Sequence, residues 1–307
     1  MDKMDKAVKT EKMFDVMGRT RIWFLISGIV MAVGILGLVF NGISKGSPMN
    51  FGIDFTGGTT LNFRFKEAIS LSDVRAVLAT HGRSNAVLQR SEGNDILIMT
   101  EPLTTDERDK IVLDMSNKFP EAELLEADTV GPVIGEELRQ QAFWALLLAT
   151  AGILVYVSFR FEFKYSVAAV LALVHDAIVT VGMIALLWRP IDTAFIAAIL
   201  TILGYSINDT IVIFDRIREN LLKPGSSKRS LTDIVNEGVN QTFARSINTV
   251  LTVVFMNVAL LLFGGATIKD FALTLFIGFV SGTYSSIFIA SPLLVIFDNW
   301  GKAKRVN

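Results

Sequence analysis

The chain has 307 residues, of which 51% are apolar and only 19% charged, and it carries a net charge of −1 with a pI near 6.2. So apolar and sparsely charged a chain is not a pair of soluble globules, and its charge balance lacks the basic footprint of a nucleic-acid binder. Because cysteine is absent, disulfides, thiolate metal sites, iron–sulfur ligation and cysteine nucleophiles are excluded together.

A bilayer core about 30 Å thick takes roughly 20 apolar residues per helix. Residues 1–21 form a basic segment with Lys3, Lys6, Lys9, Lys12, Arg19 and Arg21, and the uncharged run 22–40 reads as a first transmembrane helix. It follows a basic stretch as a signal peptide would, but no small-residue cleavage site follows Phe40, so it is expected to remain as an uncleaved anchor. Residues 42–140 then carry the alternation and punctuation of a small α+β domain. Residues 60–65 read as a strand. Ser70 with Asp73 suggests a capping box opening a helix that ends near His81 and Gly82. Strands near 86–90 and 95–100 are joined by a Gly93-Asn94 turn, 105–118 has helical periodicity and stops before Pro120, and 123–130 closes the sheet. The order βαββαβ is that of a ferredoxin-like split sandwich.

Five more spans follow, at 142–159, 166–187, 193–214, 246–268 and 271–297, which makes six transmembrane helices in all. The third carries His175 and Asp176 and the fourth carries Asp209. Residues 223–230, with Pro224, Gly225 and three serines, read as a loop, and 231–243 as an amphipathic helix lying at the membrane interface and feeding the fifth span. The short loops are asymmetric in lysine and arginine. The first 21 residues hold six, the turn after the second span holds Arg160 and Lys164, residues 215–245 hold six and the tail has Lys302, Lys304 and Arg305, against only Arg189 and Lys269 on the opposite side. Both termini and the 215–245 loop are therefore expected in the cytoplasm, with 42–140 extracytoplasmic.

Ionisable groups inside such spans are expensive, about 2.5 to 3.5 kcal/mol at the helix centre, and mark functional sites by default. Asp176 stands ten residues into its span, at a depth of about 15 Å. Asp209 lies six residues before Asp215, about 9 Å inside the cytoplasmic end of the fourth helix. Thr201, Gly204, Asn208 and Asp215 share a stripe on that helix, with Asp209 about 100° round. Arg245, Asn248, Thr249 and Thr252 form a polar stripe on the fifth. Asp209 and Arg245 reach similar depths, so they can pair, release and exchange a proton with water. Arg245 also fits a snorkelling anchor, and His175 beside Asp176 also fits a packing pair. On the last helix Thr274, Gly278, Gly282, Ser286 and Ala290 recur every four residues, an interhelical contact ridge of the small-xxx-small kind, and Gly282 is expected to support assembly with a partner. Intramembrane protease chemistry is not supported: Phe279 replaces the glycine a Gly-x-Ser-Gly signature needs before Ser281, and Ser206-Ile207-Asn208 precede Asp209. No covalent catalysis is expected.

Several motifs carry a family resemblance. They are Phe51-Gly52-Ile53-Asp54-Phe55-Thr56-Gly57-Gly58, then Thr129-Val130-Gly131-Pro132 with Gly135-Glu136, and Gly204-Tyr205-Ser206-Ile207-Asn208-Asp209-Thr210 continuing through Phe214-Asp215-Arg216-Ile217-Arg218-Glu219-Asn220. Arg245-Ser246-Ile247-Asn248-Thr249 and Gly282-Thr283-Tyr284-Ser285-Ser286 complete the set. The chain resembles the SecD and SecF export proteins, and the fourth-helix motif resembles SecF in particular. The resemblance implies a membrane fold of the resistance-nodulation-division type in a bacterial or archaeal cytoplasmic membrane. A SecD partner would supply six further helices, and the pair would attach to the SecYEG channel. It implies late-stage export of preproteins driven by the proton-motive force, with Asp209 as relay acid and Arg245 as relay arginine, no cofactor, and a proton or a sodium ion as the transported cation. Asp176, His175, Asn208, Thr201, Asn248, Thr249 and Thr252 are the supporting polar groups. The alternative is half of a small-molecule or lipid exporter of the wider superfamily, against which the outer segment of about 100 residues is too small for a drug-binding domain.

Overall fold

The computed structural model describes residues 14–90 and 93–306. Lys3, Lys6, Lys9 and Lys12, and the side chains of Lys302, Lys304 and Arg305, lie outside the described residues. Six helices are long and apolar enough to cross a membrane. The first is α1 (Thr20–Lys45), closed by Gly46 in the left-handed conformation at φ 76°.

The α/β domain comes next. Strand β1 (Asn50–Phe51) and the single turn α2 (Ile53–Thr56) lead into β2 (Gly58–Arg64). Then come α3 (Leu71–Thr80), β3 (Val87–Arg90), β4 (Asp95–Thr100), α4 (Thr105–Lys118) and β5 (Glu123–Val130). The sheet order β3-β4-β2-β5 is antiparallel throughout, the ferredoxin-like arrangement. One face of the sheet, with Leu61, Phe63, Ile96 and Ile98, buries against Val74 and Leu78 of α3 and Ile111 and Met115 of α4. The alternation that puts these residues inward puts Thr60, Asn62, Glu126 and Asp128 on the opposite face. The capping box falls at Thr104 and Glu107, not at Ser70 and Asp73. Ser70 caps α3 only through Ser72 N, because an aspartate at the third position is one methylene shorter than the glutamate that reaches back at Glu107.

The remaining helices are α5 (Pro132–Arg160), α6 (Phe163–Leu186), α7 (Thr193–Leu222, after the short strand β6, Pro190–Ile191), α8 (Leu231–Phe263), α9 (Ala266–Ser285) and α10 (Ser291–Val306), with one π turn, Ser286–Ala290, between the last two. Three boundaries differ from the sequence expectation. Helix α5 starts at Pro132, ten residues before the apolar run, because Glu136, Glu137 and Arg139 are compatible with two solvated turns. The fifth span ends at Phe263, and the Gly264-Gly265 pair interrupts the helix, so Lys269 and Asp270 lie within the first two turns of α9 instead of in a loop. Residues 231–243 are no separate interfacial helix. They continue into the fifth span without a break, and their apolar face is spent on α7, where a Cβ on Gly238 would lie 2.7 Å from Ile217.

Helix α6 is the centre of the bundle, packed by α1, α7 and α9. It meets α1 backbone to backbone: a Cβ on Gly182 would lie 2.7 Å from Gly34 Cα. Helices α1, α5 and α8 turn large apolar side chains outward, among them Leu36, Phe143, Phe159 and Phe255, as lipid-facing helices do. Residues 14–16 dock on the extension of α8, where Phe14 N donates to Asn240 Oδ1 at 2.8 Å and Val16 N to Asn236 Oδ1 at 2.9 Å.

Candidate functional site

The two glycine motifs explain how the α/β domain is set on the bundle. Gly57 and Gly58 have φ of 70° and 145°, and a Cβ on Gly58 would lie 2.6 Å from Thr100 O. A Cβ on Gly57 would lie 3.0 Å from Pro132 Cα, and one on Gly135 would lie 3.0 Å from Gly57 N, so the start of α5 sits directly on this turn. Asp54 in the same motif reaches α7, its Oδ2 accepting from Thr193 N at 2.9 Å and Thr193 Oγ1 at 2.6 Å. A carboxylate there satisfies one free N–H group at the positive end of the helix that carries Asp209.

Asp176 is fully buried between α6, α7 and the sixth span. Its Oδ2 accepts from Ser206 Oγ at 2.6 Å and Ser285 Oγ at 2.7 Å, and its Oδ1 from Ser281 Oγ at 2.9 Å, with His175 Nδ1 at 3.0 Å. Four partners from three helices thus converge on one carboxylate. The deepest acid is a satisfied anchor, and such pairing is what makes a buried carboxylate tolerable. His175 is buried beside it, stacked on Tyr284 with ring centroids 6.3 Å apart.

Asp209 is placed differently. Ser246 Oγ of α8 donates to its Oδ1 at 2.7 Å, while its Oδ2 is buried with no hydrogen-bond partner. Among the described residues no ion pair joins it to Arg245, whose side chain is exposed on the neighbouring helix. Thr201, Gly204 and Asn208 of α7 and Asn248, Thr249 and Thr252 of α8 are exposed too. The three threonines return their hydroxyls to their own helices, Thr201 to Ala197 O, Thr249 to Arg245 O and Thr252 to Thr249 O. This leaves Asn208, Arg245 and Asn248 as polar groups on an uncovered face beside an unsatisfied carboxylate oxygen. Asp215 lies outside this group and takes both Arg160 contacts at 2.9 Å.

The small-residue ridge of the sixth span packs within the chain against α7: a Cβ on Gly278 would overlap Ile202 Cδ1, and one on Gly282 would lie 3.0 Å from Ser206 Cβ. Ser286 joins that contact, sharing a 2.8 Å hydrogen bond with Thr210 Oγ1 and donating to Gly282 O at 2.8 Å. The π turn begins at this serine. Such single turns mark functional sites in helices, and this one lies level with the serines around Asp176. Ser206, Ser246 and Ser285 lie inside the quoted motifs without a role of their own there, and Ser281 and Ser285 share one helix face at i, i+4 spacing.

Six membrane-length helices, two carboxylates held among them in contrasting states and a small α/β domain at one end define a polytopic membrane transport subunit. Residues 111–300 match the model of the protein export membrane protein SecD/SecF C-terminal family, and residues 46–69 match the SecD/SecF GG motif. The protein translocase subunit SecF of Sebaldella termitidis is 43% identical over 296 residues, covering 94% of both chains, and that of Calditerrivibrio nitroreducens is 36% identical over 306, covering 96% of this chain and 97% of its own. The crystal structure of SecDF, a translocon-associated membrane protein from Thermus thermophilus, superposes with a TM-score of 0.83 at 37% identity and covers 94% of this chain. The chain spans 39% of that structure's length; a second SecDF structure, in a super-membrane-facing form, gives a TM-score of 0.66 at 36% identity. The chain belongs to the SecD/SecF family of protein export membrane proteins, on its SecF side.

Proposed function

We propose that this chain is the cation-driven SecF-type subunit of a protein translocase, with Asp209 and Arg245 as its relay pair. The observation that carries the reading is the buried, partnerless Oδ2 of Asp209, next to an uncovered polar face that bears Arg245. A buried carboxylate oxygen without a partner is completed by a proton, a cation or an approaching guanidinium, and exchanging one for another links occupancy to the spacing of α7 and α8. One charge crossing 100 mV is worth about 2.3 kcal/mol, enough to bias a two-state helix rearrangement. Helix α7 runs from this acid to Thr193, where Asp54 of the α/β domain is bonded to its first turn, so movement of α7 has a direct mechanical connection to the domain.

Exposed polar groups on α7 and α8 are poor against lipid and suit a SecD partner related by a pseudo-two-fold axis. Attachment to the SecYEG channel, action on preproteins after the SecA motor, and cytoplasmic termini belong to the same proposal, the last supported by the lysine and arginine asymmetry of the loops. The exporter alternative is not favoured, since the relatives that match nearly end to end are translocase subunits. The test is export into membrane vesicles carrying Asp209→Asn. The near-isosteric amide is expected to preserve folding and partner binding and to abolish the stimulation of export by the membrane potential. Export at the normal rate, with a normal response to collapse of the proton gradient, would make Asp209 structural.

A further inference from the structure

Where they touch, α7 and the sixth span run in the same direction and in step: Gly278 sits on Ile202, Gly282 on Ser206, and Ser286 bonds to Thr210. Tyr205 and Phe279 belong to the same register, with ring centroids 4.6 Å apart. Four residues further along each helix, the next facing pair is Asp209 and Thr283. Thr283 is only 5% exposed, and its hydroxyl, like the Oδ2 of Asp209, is buried without a hydrogen-bond partner. A threonine in a helix ordinarily returns its hydroxyl to the preceding turn, as Thr201, Thr249 and Thr274 do. Among the described threonines, Thr180 on α6 is the only other with a buried, unpartnered hydroxyl. The other buried hydroxyls beside Asp209 are engaged. Ser246 donates to Oδ1 at 2.7 Å, and Ser286, a second neighbour of the carboxyl, donates to Gly282 O and shares a bond with Thr210. The half-buried Tyr205 hydroxyl neighbours both Asp209 and Thr283, which puts the two on the same side of the interface.

We propose that Thr283 is a positioning residue of the relay, whose Oγ1 accepts a hydrogen bond from Oδ2–H of the neutral Asp209. The inference rests on the relay reading of Asp209. A protonated carboxyl has one O–H to place and needs an acceptor for it. Arg245 carries donors only, so it suits the ionised acid and not the neutral one. Thr283 Oγ1 is an acceptor that nothing else occupies. The two partners therefore divide the two states of the acid, Arg245 from α8 and Thr283 from α9, and a change of protonation exchanges a partner on one helix for a partner on the other. Of the ionisable groups on the elements packed here, Arg245 and Tyr205 neighbour Asp209. Tyr284 of α9 is turned to Trp23 O, and Asp176 of α6 is enclosed by its serines.

The test is labelling of Asp209 by dicyclohexylcarbodiimide, which reacts with the protonated carboxyl, in the full chain co-purified with its partner and reconstituted in lipid. Labelling is read by mass spectrometry at the pH where the parent is half-labelled. The near-isosteric Thr283→Val removes the acceptor and is expected to lower labelling at least threefold, because a hydrogen bond to the neutral acid favours that form. Thr283→Ser restores the acceptor and is expected to return labelling to the parental level. Thr283→Ala adds no bulk and carries the test if Thr283→Val fails to fold. Thr180→Val, which deletes the other unpartnered hydroxyl, is expected to label like the parent. Parental labelling in Thr283→Val, a loss that Thr283→Ser does not restore, or an equal loss in Thr180→Val would overturn the proposal. Protection of the parent by sodium ions that is lost in Thr283→Val would make the hydroxyl a sodium ligand and overturn it as well. No labelling of the parent at any pH, or parental flux in Asp209→Asn, would sink the relay itself, and this inference with it. Flux that depends on Asp209, with labelling indifferent to Thr283, would sink this inference alone.

Discussion

Replacing Asp176 tests whether the serine cage holds the bundle together. In Asp176→Ala, Ser206 and Ser281 lose the acceptors seen at 2.6 Å and 2.9 Å, His175 loses its carboxylate, and only Ser285 keeps a second acceptor, Gly282 O at 3.1 Å. Each buried donor left unpaired costs about 1 to 3 kcal/mol, so the variant is expected to lose roughly 3 kcal/mol or more, with a small cavity in addition. Asp176→Asn keeps the volume and one oxygen, and its amide can donate to serines that accept in turn, so its loss is expected to be about 1 to 2 kcal/mol. The assay is unfolding by dodecyl sulfate in mixed micelles, followed by the fluorescence of the four tryptophans. Asn248→Ala on the exposed stripe serves as a control and is expected to fall within about 0.5 kcal/mol of the parent. A double-mutant cycle between Asp176→Ala and Ser281→Ala is expected to give a coupling of about 1 kcal/mol or more. Stabilities of Asp176→Ala and Asp176→Asn both within about 0.5 kcal/mol of the parent, with no coupling to Ser281, would refute the cage.

Three other outcomes follow from the geometry. Gly182→Leu drives a side chain into Gly34, where even a Cβ would lie 2.7 Å from backbone, and is expected to destabilise by about 2 kcal/mol or more and to expose α1 to protease; an unchanged digestion pattern would contradict the α1–α6 crossing. Because Asp128 binds its proton more tightly in the folded state, stability is expected to fall as pH rises from the ordinary carboxylate range through its elevated value, and Asp128→Asn to flatten that slope in thermal melts between pH 4 and 7. As Arg245 makes no bidentate contact with Asp209 in this state, Arg245→Lys is expected to keep part of the potential-driven export and Arg245→Gln almost none; equal loss in both would mean that the guanidinium shape is required.

The α/β domain was legible because its strands alternate and glycine and proline punctuate them, down to β5 at 123–130 and the stop of α4 before Pro120. Helix ends were legible only where charge and helix end coincide. By charge Glu136 to Arg139 read as part of the domain, yet they form the first turns of α5, and Lys269-Asp270 read as a loop, whereas the break is Gly264-Gly265. Asp209 and Asp176 stand out in apolar runs, yet their different states do not. Hydroxyls barely alter hydropathy, so nothing in the local pattern reveals that Ser206, Ser281 and Ser285 satisfy one acid while Ser246 satisfies only half of the other. Likewise the ridge through Gly278 and Gly282 announces a close contact without naming its neighbour, which is α7 of the same chain.

The proposed relay requires Asp209 to carry the transported cation. The measurement is cation flux through the chain and its SecD-type partner in sealed proteoliposomes under an imposed membrane potential, for the parent, Asp209→Asn and, as a folded reference away from the relay, Lys110→Ala on the exposed side of α4. Flux is expected in the parent and the reference and none above the lipid background in Asp209→Asn, at equal protein incorporation. Flux in Asp209→Asn equal to that of the parent would contradict it.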